Sequence, residues 1–216
     1  MPSGRSRLCE LCTRCEEQGL SGAAATEDAL KAEAANCRIL HLANHGIVNN
    51  ASPMYSQVVL AQAPRSTDDG LLEAWEVMHM YLNADLVVLA ACQTARGRYA
   101  AGEEMIGLSW AFFVAGCPTT VVSQWDVFAL STTDLMIDFH KNLKAGMTKA
   151  ESLRQAEPKM MKGGKYEHPF LLGAICRNGR GKPRYSIGYI SRKVQVKLVA
   201  ALIPRYFLSR PLSDGR

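Results

Sequence analysis

The amino-acid sequence predicts an α/β fold with a mostly parallel central sheet covered by helices on both faces. Three observations carry this. Leu86-Val87-Val88-Leu89-Ala90-Ala91 is a continuous apolar run without polar alternation, the pattern of a strand buried on both faces. Strand and helix patterns alternate from Gly22 onward, which implies right-handed crossovers between parallel neighbours. The 216 residues suit one domain, or one domain with tails, since typical domains run ~100–200 residues.

The elements follow in order. Residues 23–35 are rich in Ala and Glu, with Thr26 as N-cap and Lys31 and Glu33 on the exposed side, and read as a helix. Residues 38–43 read as a short strand ending in Asn44-His45-Gly46. Asp69-Gly70 introduces a helix over 71–82, whose Leu72, Trp75, Met78 and His79 form an apolar face at i, i+3, i+4 spacing. Residues 86–91 are the buried strand, and 103–115 a helix stopped by Gly116 and Pro118. Residues 119–124 make another buried strand. A helix over 131–143 is closed by Gly146, and one over 148–161 is bent or ended by Pro158. Residues 170–176 are the last short strand. The expected organisation is a poorly ordered N-terminal segment 1–19, a domain over 20–179 and a basic C-terminal extension over 180–216.

Composition bounds the function classes. With 48% hydrophobic and 21% charged residues the chain can bury a sizeable core. The net charge of +5 divides into +1 over residues 1–16, −5 over 17–176 and +9 over 177–216. The basic excess is therefore C-terminal, the pattern of a solvated end, and nucleic acid is not expected as a partner. No apolar run reaches the ~18 residues that would span a membrane, and 194–203 is too short. No apolar stretch follows the N-terminal basic residues, so no export signal is read, and the seven Cys are expected to be free thiols in a cytoplasmic chain. Cys9, Cys12 and Cys15 have the spacing of half a metal site. Structural zinc wants four ligands and no second cluster completes this one, so neither metal nor cofactor is expected.

In an open parallel sheet, reactive side chains collect just beyond the carboxyl ends of the strands. His45 follows one strand and Cys92 another, 47 residues apart, room for a loop, a helix and a return to a parallel neighbour. A thiolate is a strong nucleophile, and an imidazole beside it can protonate a departing amine. Gly46 lets a backbone N–H approach a substrate carbonyl, and with the N–H of Cys92 it would form an oxyanion hole, worth ~3–4 kcal/mol per donor in known enzymes. Gln93-Thr94-Ala95-Arg96 and Gly97 would shape the cleft rim. Asp126, beyond the 119–124 strand on the same rim, would select Lys or Arg in a substrate, or else serve as a helix N-cap or loop carboxylate. A lone Cys after an apolar strand is more often a small buried hydrophobe, and a lone His in a loop more often packs or faces solvent. It is the pairing at matched strand ends that favours chemistry. His41, inside its strand, is expected to be packed or satisfied by a neighbour.

The segments Ile39-Leu40-His41-Leu42-Ala43-Asn44-His45-Gly46 and Leu86-Val87-Val88-Leu89-Ala90-Ala91-Cys92-Gln93-Thr94-Ala95-Arg96-Gly97 resemble the two signatures of CHAT domains, caspase-like peptidases often fused to tetratricopeptide repeats. Ser52-Pro53-Met54-Tyr55-Ser56, Asp69-Gly70-Leu71-Leu72, Gly102-Glu103-Glu104-Met105-Ile106-Gly107-Leu108, Val114-Ala115-Gly116-Cys117-Pro118 and Val121-Val122-Ser123-Gln124-Trp125-Asp126-Val127 continue the resemblance in order. Gly146, residues 150–156 and His168-Pro169-Phe170 extend it, so that it covers roughly residues 20–179. The resemblance implies a three-layer α/β/α caspase-like sandwich and hydrolysis of a peptide bond in a protein or peptide substrate. Cys92 would be the nucleophile, His45 the general acid/base, and the Gly46 and Cys92 N–H groups the oxyanion hole. A tetratricopeptide-repeat or other regulatory region is the implied partner, besides the substrate. The family's opening strand has little room before Gly19 and is expected to be missing. Ala129 stands where the family usually has an aspartate, and a Trp common in the final strand is absent from 170–174. Two other readings stay open: an inactive scaffold or protein-binding module that keeps the sheet, and a thiol hydrolase acting on a non-peptide amide.

Overall fold

The computed structural model describes residues 19–64, 66–90, 107–123, 129–162, 175–179 and 196–200. In chain order the strands are β1 (Gly19–Ser21), β2 (Ile39–Leu42), β3 (His45–Ile47), β4 (Gln57–Val59), β5 (Leu71–Glu73), β6 (Leu86–Leu89), β7 (Thr119–Ser123), β8 (Ile175–Gly179) and β9 (Val196–Ala200). The helices are α1 (Glu27–Ala34), α2 (Ala74–Met78), α3 (Leu108–Val114), α4 (Ala129–Lys144) and α5 (Lys149–Lys162). Six strands make one sheet in the order β1-β9-β2-β6-β7-β8, and β3-β4-β5 make a separate small one. All neighbours in the large sheet are parallel except β7 and β8. The small sheet is antiparallel throughout. The α/β class with its mostly parallel sheet is thus as the sequence indicates.

Strand side chains alternate between faces, and here the alternation sorts the helices into two layers. Leu40, Leu42, Val87, Leu89 and Val122 join one buried cluster with Leu30 of α1, Val77 of α2 and Phe112 of α3. Ser109 of α3 bonds Thr120 on that face, Oγ to Oγ1 at 2.8 Å. The intervening residues point the other way. His41 meets His140 of α4, and Thr119 Oγ1 accepts from Lys149 Nζ of α5 at 3.1 Å. Every residue of β2, β6 and β7 is buried, the physical reason β6 reads as an unbroken apolar run.

Local signals set several boundaries. Thr26 caps α1 as expected, its hydroxyl oxygen accepting from Ala29 N–H at 3.3 Å. Residues 22–24 form a 3-10 turn instead of extending that helix. Gly146, with φ of +88°, ends α4, and the N–H of Met147 donates back to Asn142 O at 3.2 Å, a glycine-terminated helix end.

Other elements differ from the sequence reading. No single helix runs over 71–82. Leu71–Glu73 is β5, buried only at Leu72, and the helix that follows is the short α2. Trp75 and His79 face solvent, while Ala74 and Val77 are buried. Pairing of β5 with β4 outweighs the helical spacing, because Leu72 reaches the core equally well from a strand. Of the two outcomes expected of Pro158, ending the helix does not occur, since α5 continues to Lys162. The last strand of the 170–176 region is Ile175–Gly179, antiparallel to β7. Residues 163–174 lie outside the described residues. Within the segment read as a C-terminal extension, β9 pairs in parallel with both β1 and β2, and the short β1 ahead of α1 joins the sheet through it, where the sequence reading expects the opening strand to be missing.

One glycine is required by geometry. Gly116 ends α3 at φ of +111°, and a Cβ there would lie 2.8 Å from the carbonyl oxygen of Leu82, whose own N–H donates to Ala115 O at 2.8 Å. Both the left-handed backbone and the backbone contact oppose a side chain. Gly116→Ala is expected to lower stability by about 1–3 kcal/mol in urea unfolding followed by circular dichroism.

Candidate functional site

The site begins with a register. β2 and β6 are parallel neighbours with Leu42 opposite Leu89, and the N–H of Ala90 donates to Leu42 O at 2.9 Å as the ladder runs out. His45 and Cys92 each stand three residues beyond that pair in the sequence. Cys92 itself, with Gln93, Gly97 and Asp126, lies outside the described residues, as do Cys9, Cys12 and Cys15.

His45 is exposed and opens β3 opposite Val59, with the half-buried Gly46 opposite Val58. The sequence reading made this stretch a loop; the structure makes it the first strand of the small sheet. That sheet is anchored from below, since Val58 and Leu72 are fully buried. Leu60 N–H donates to Gly70 O at 2.7 Å, Ala61 N–H to Ala25 O at 2.9 Å and Ala74 N–H to Ser56 O at 2.8 Å. A residue the sequence reading passed over, Asn44, ties the bend between β2 and β3 to β4, donating from Nδ2 to Val59 O at 3.0 Å. A polar side chain directly before the histidine was the available signal.

Beneath the small sheet, the Lys31 ammonium binds three carboxylates: Glu27 at 2.7 Å, Glu76 at 3.0 Å and Asp68 at 3.3 Å. Burial alone would lower the Lys31 pKa, but the hydrogen bonds to Glu27 and Glu76 outweigh it and raise it. Burial raises the Glu27 carboxyl, and the neighbouring Glu76 adds to this while Lys31 opposes it. The other Glu27 oxygen accepts from Gly70 N–H at 3.0 Å. Glu27, Asp68 and Glu76 have the close spacing of a cation site, yet the cation among them is the protein's own ammonium. The cluster fixes α1, α2 and the turn before β5 to one another.

Other reactive groups are structural. Cys37 and Cys117 are buried thiols; Cys117 Sγ donates to Thr119 O at 3.1 Å, and burial pushes its pKa up, so neither is placed as an exposed nucleophile. At the amino ends of the strands, Arg38 pairs with Asp85, while Lys149 donates to Asp85 O and Thr119 Oγ1. This clamp sits at the opposite end of the sheet from His45.

His41 is packed in the sheet as expected, at 2% exposure. Its Nδ1 lies 2.9 Å from His140 Nε2, with the rings stacked at 5.1 Å, and its own Nε2 is buried without a hydrogen-bond partner.

The family model of the CHAT domain matches residues 4–185. The chain belongs to that family. The search of curated proteins gave no match. Most of this CHAT chain is thus spanned by the match, and β2, the small sheet, β6, α3 and β7 all fall within it. Among the described residues, no helix is long and apolar enough to cross a membrane.

The histidine pair gives the domain an acid limit. Burial holds His140 down at about 4, and burial together with the neighbouring His140 holds His41 well below its ordinary value. In the unfolded chain both titrate near 6.5. Between these values the unfolded state binds more protons, so stability falls as pH drops from 6.5 toward 4. The thermal midpoint is expected to decrease over that window, and to decrease less in His140→Gln, as read by circular dichroism at a series of pH values.

Proposed function

We propose that this CHAT domain is a caspase-like cysteine endopeptidase, built as a three-layer α/β/α sandwich, that hydrolyses peptide bonds through Cys92 and His45. The observation that carries the reading is the in-register parallel pairing of β2 with β6, because residues leaving adjacent parallel strands at one end flank a common rim. The exposure of His45 at the start of β3 supports it, since a general acid must reach substrate. Membership of the CHAT family supports it independently.

In this reading the Cys92 thiolate attacks the scissile carbonyl carbon, and the carbonyl oxygen gains negative charge facing the N–H groups of Gly46 and Cys92. As the C–N bond breaks, the His45 imidazolium gives its proton to the departing amine, leaving a thioester on Cys92. Water then attacks the thioester, His45 takes its proton, and the carboxylic acid product leaves with the thiolate restored. Each oxyanion donor is worth about 10²–10³ in kcat in known enzymes. Asp126 follows β7, which runs parallel beside β6, and its carboxylate would hold a Lys or Arg side chain before the cut through paired charged hydrogen bonds. Gln93 would line the same rim. A protein or peptide is the substrate class, and a regulatory repeat region is the partner class.

Incubation with a peptide library, with products read by mass spectrometry, tests the activity. Cleavage after one residue type is expected, and Cys92→Ala and His45→Ala should each lower hydrolysis by at least about 1000-fold with unchanged circular dichroism. Full activity in Cys92→Ala would end the proposal, and the absence of any cleavage by the wild type would favour a binding module. For the pocket, Asp126→Ala should reduce kcat/KM on Lys and Arg reporter peptides by about 100-fold while leaving apolar reporters unchanged. Equal activity on both would remove Asp126 from substrate selection.

A further inference from the structure

We infer that Asn44 is a positioning residue for His45, fixing the strand that carries the imidazole by gripping the carbonyl directly opposite it. The inference rests on the proposed role of His45, and its observations are separate from that role. Asn44 is 8% exposed and occupies the bend between the end of β2 and the start of β3. Its Nδ2 donates to Val59 O at 3.0 Å, and Val59 is the register partner of His45 in the β3–β4 pairing. One side chain therefore links the last turn of the large sheet, the residue adjoining the histidine and the strand against which the histidine is paired. The orientation of the amide is settled by its partner, because a carbonyl oxygen accepts only from the nitrogen end.

The other end of the same amide makes the case specific. Asn44 Oδ1 is buried without a hydrogen-bond partner, and a buried unsatisfied acceptor is costly. A residue present only to fill space would carry no such acceptor. The single bond that Asn44 makes is the one that holds β4 against the histidine's bend, and reacting groups tolerate little displacement: about 1 Å can cost about 100-fold in rate. Nothing else described between Leu42 and His45 contributes a side-chain hydrogen bond to this bend, Ala43 having no polar group.

Two full-length variants test this. Asn44→Ala removes the amide, and Asn44→Asp keeps its shape while replacing the donor by a second acceptor facing Val59 O. In both, kcat on a peptide cleaved by the wild type is expected to fall about tenfold or more while KM stays within about twofold. The NMR ring-carbon signal of His45, assigned by its loss in His45→Gln, is expected to move, with that of the exposed His79 unmoved as control. Unchanged kcat with an unmoved His45 signal would overturn the inference, as would a rise in KM at constant kcat. If the wild type cleaves no peptide, the proposed activity fails on its own, and the His45 signal still decides: unmoved in both variants, it overturns the role of Asn44. Loss of the fold in both variants would also overturn it, in favour of a structural clamp without a specific tie to the histidine.

Discussion

The parallel pairing of β2 with β6 is the constraint on which the rest depends. Strands of the same direction deliver their loops to one end, and the opposition of Leu42 and Leu89 fixes how far along that end each loop begins. The register is protected by burial on both faces: shifting β2 by one residue would exchange Leu40 and Leu42 for Ile39 and His41 in the core beneath α1, α2 and α3. His41 would then lose His140 and enter an apolar cluster. Packing thus sets the alignment, and the alignment sets where chemistry is possible.

A parallel sheet supplies a rim but leaves its loops loose, and here the small antiparallel sheet does the holding. His45 belongs to a strand, so its backbone is constrained by β4, and β4 by β5. The chain reaches β5 through a turn whose backbone bonds to Glu27 and whose Asp68 faces Lys31. Lys31 resolves a problem the fold creates for itself, because three acidic groups brought together by α1, α2 and that turn would repel one another without an internal cation. The charge network and the histidine strand are parts of one support.

Much of this was legible beforehand. β6 announced itself through an unbroken apolar run, β2 through a short strand pattern ending at Asn44-His45-Gly46, Thr26 through its position before a helical stretch, and Gly116 and Gly146 through the helices they end. His45 and Cys92 stood out because reactive residues followed two such strands at equal remove. What escaped was decided by contacts distant in sequence. Leu71–Glu73 is a strand only because Gln57–Val59 lies beside it, and the spacing of Trp75 and His79 imitated a buried helical face although the buried residues of α2 are the smaller Ala74 and Val77. The charge on Lys31 looked like a solvated surface until the Asp68 turn and α2 folded over it. Asn44 offered only a polar side chain ahead of the histidine, since its significance lies in a carbonyl fifteen residues away.

The position of β9 has a consequence for the order of assembly. Val196–Ala200 inserts between β1 and β2, and it is the strand that attaches β1 to the sheet. The flank of β2 therefore waits through about 150 further residues of synthesis before its neighbour exists, and closing so long a loop is slow compared with forming local helices. A ribosome-bound chain that has already produced β2, β6 and β7 still presents an unpaired hydrogen-bonding edge on β2, the kind of surface prone to wrong pairing until β9 emerges.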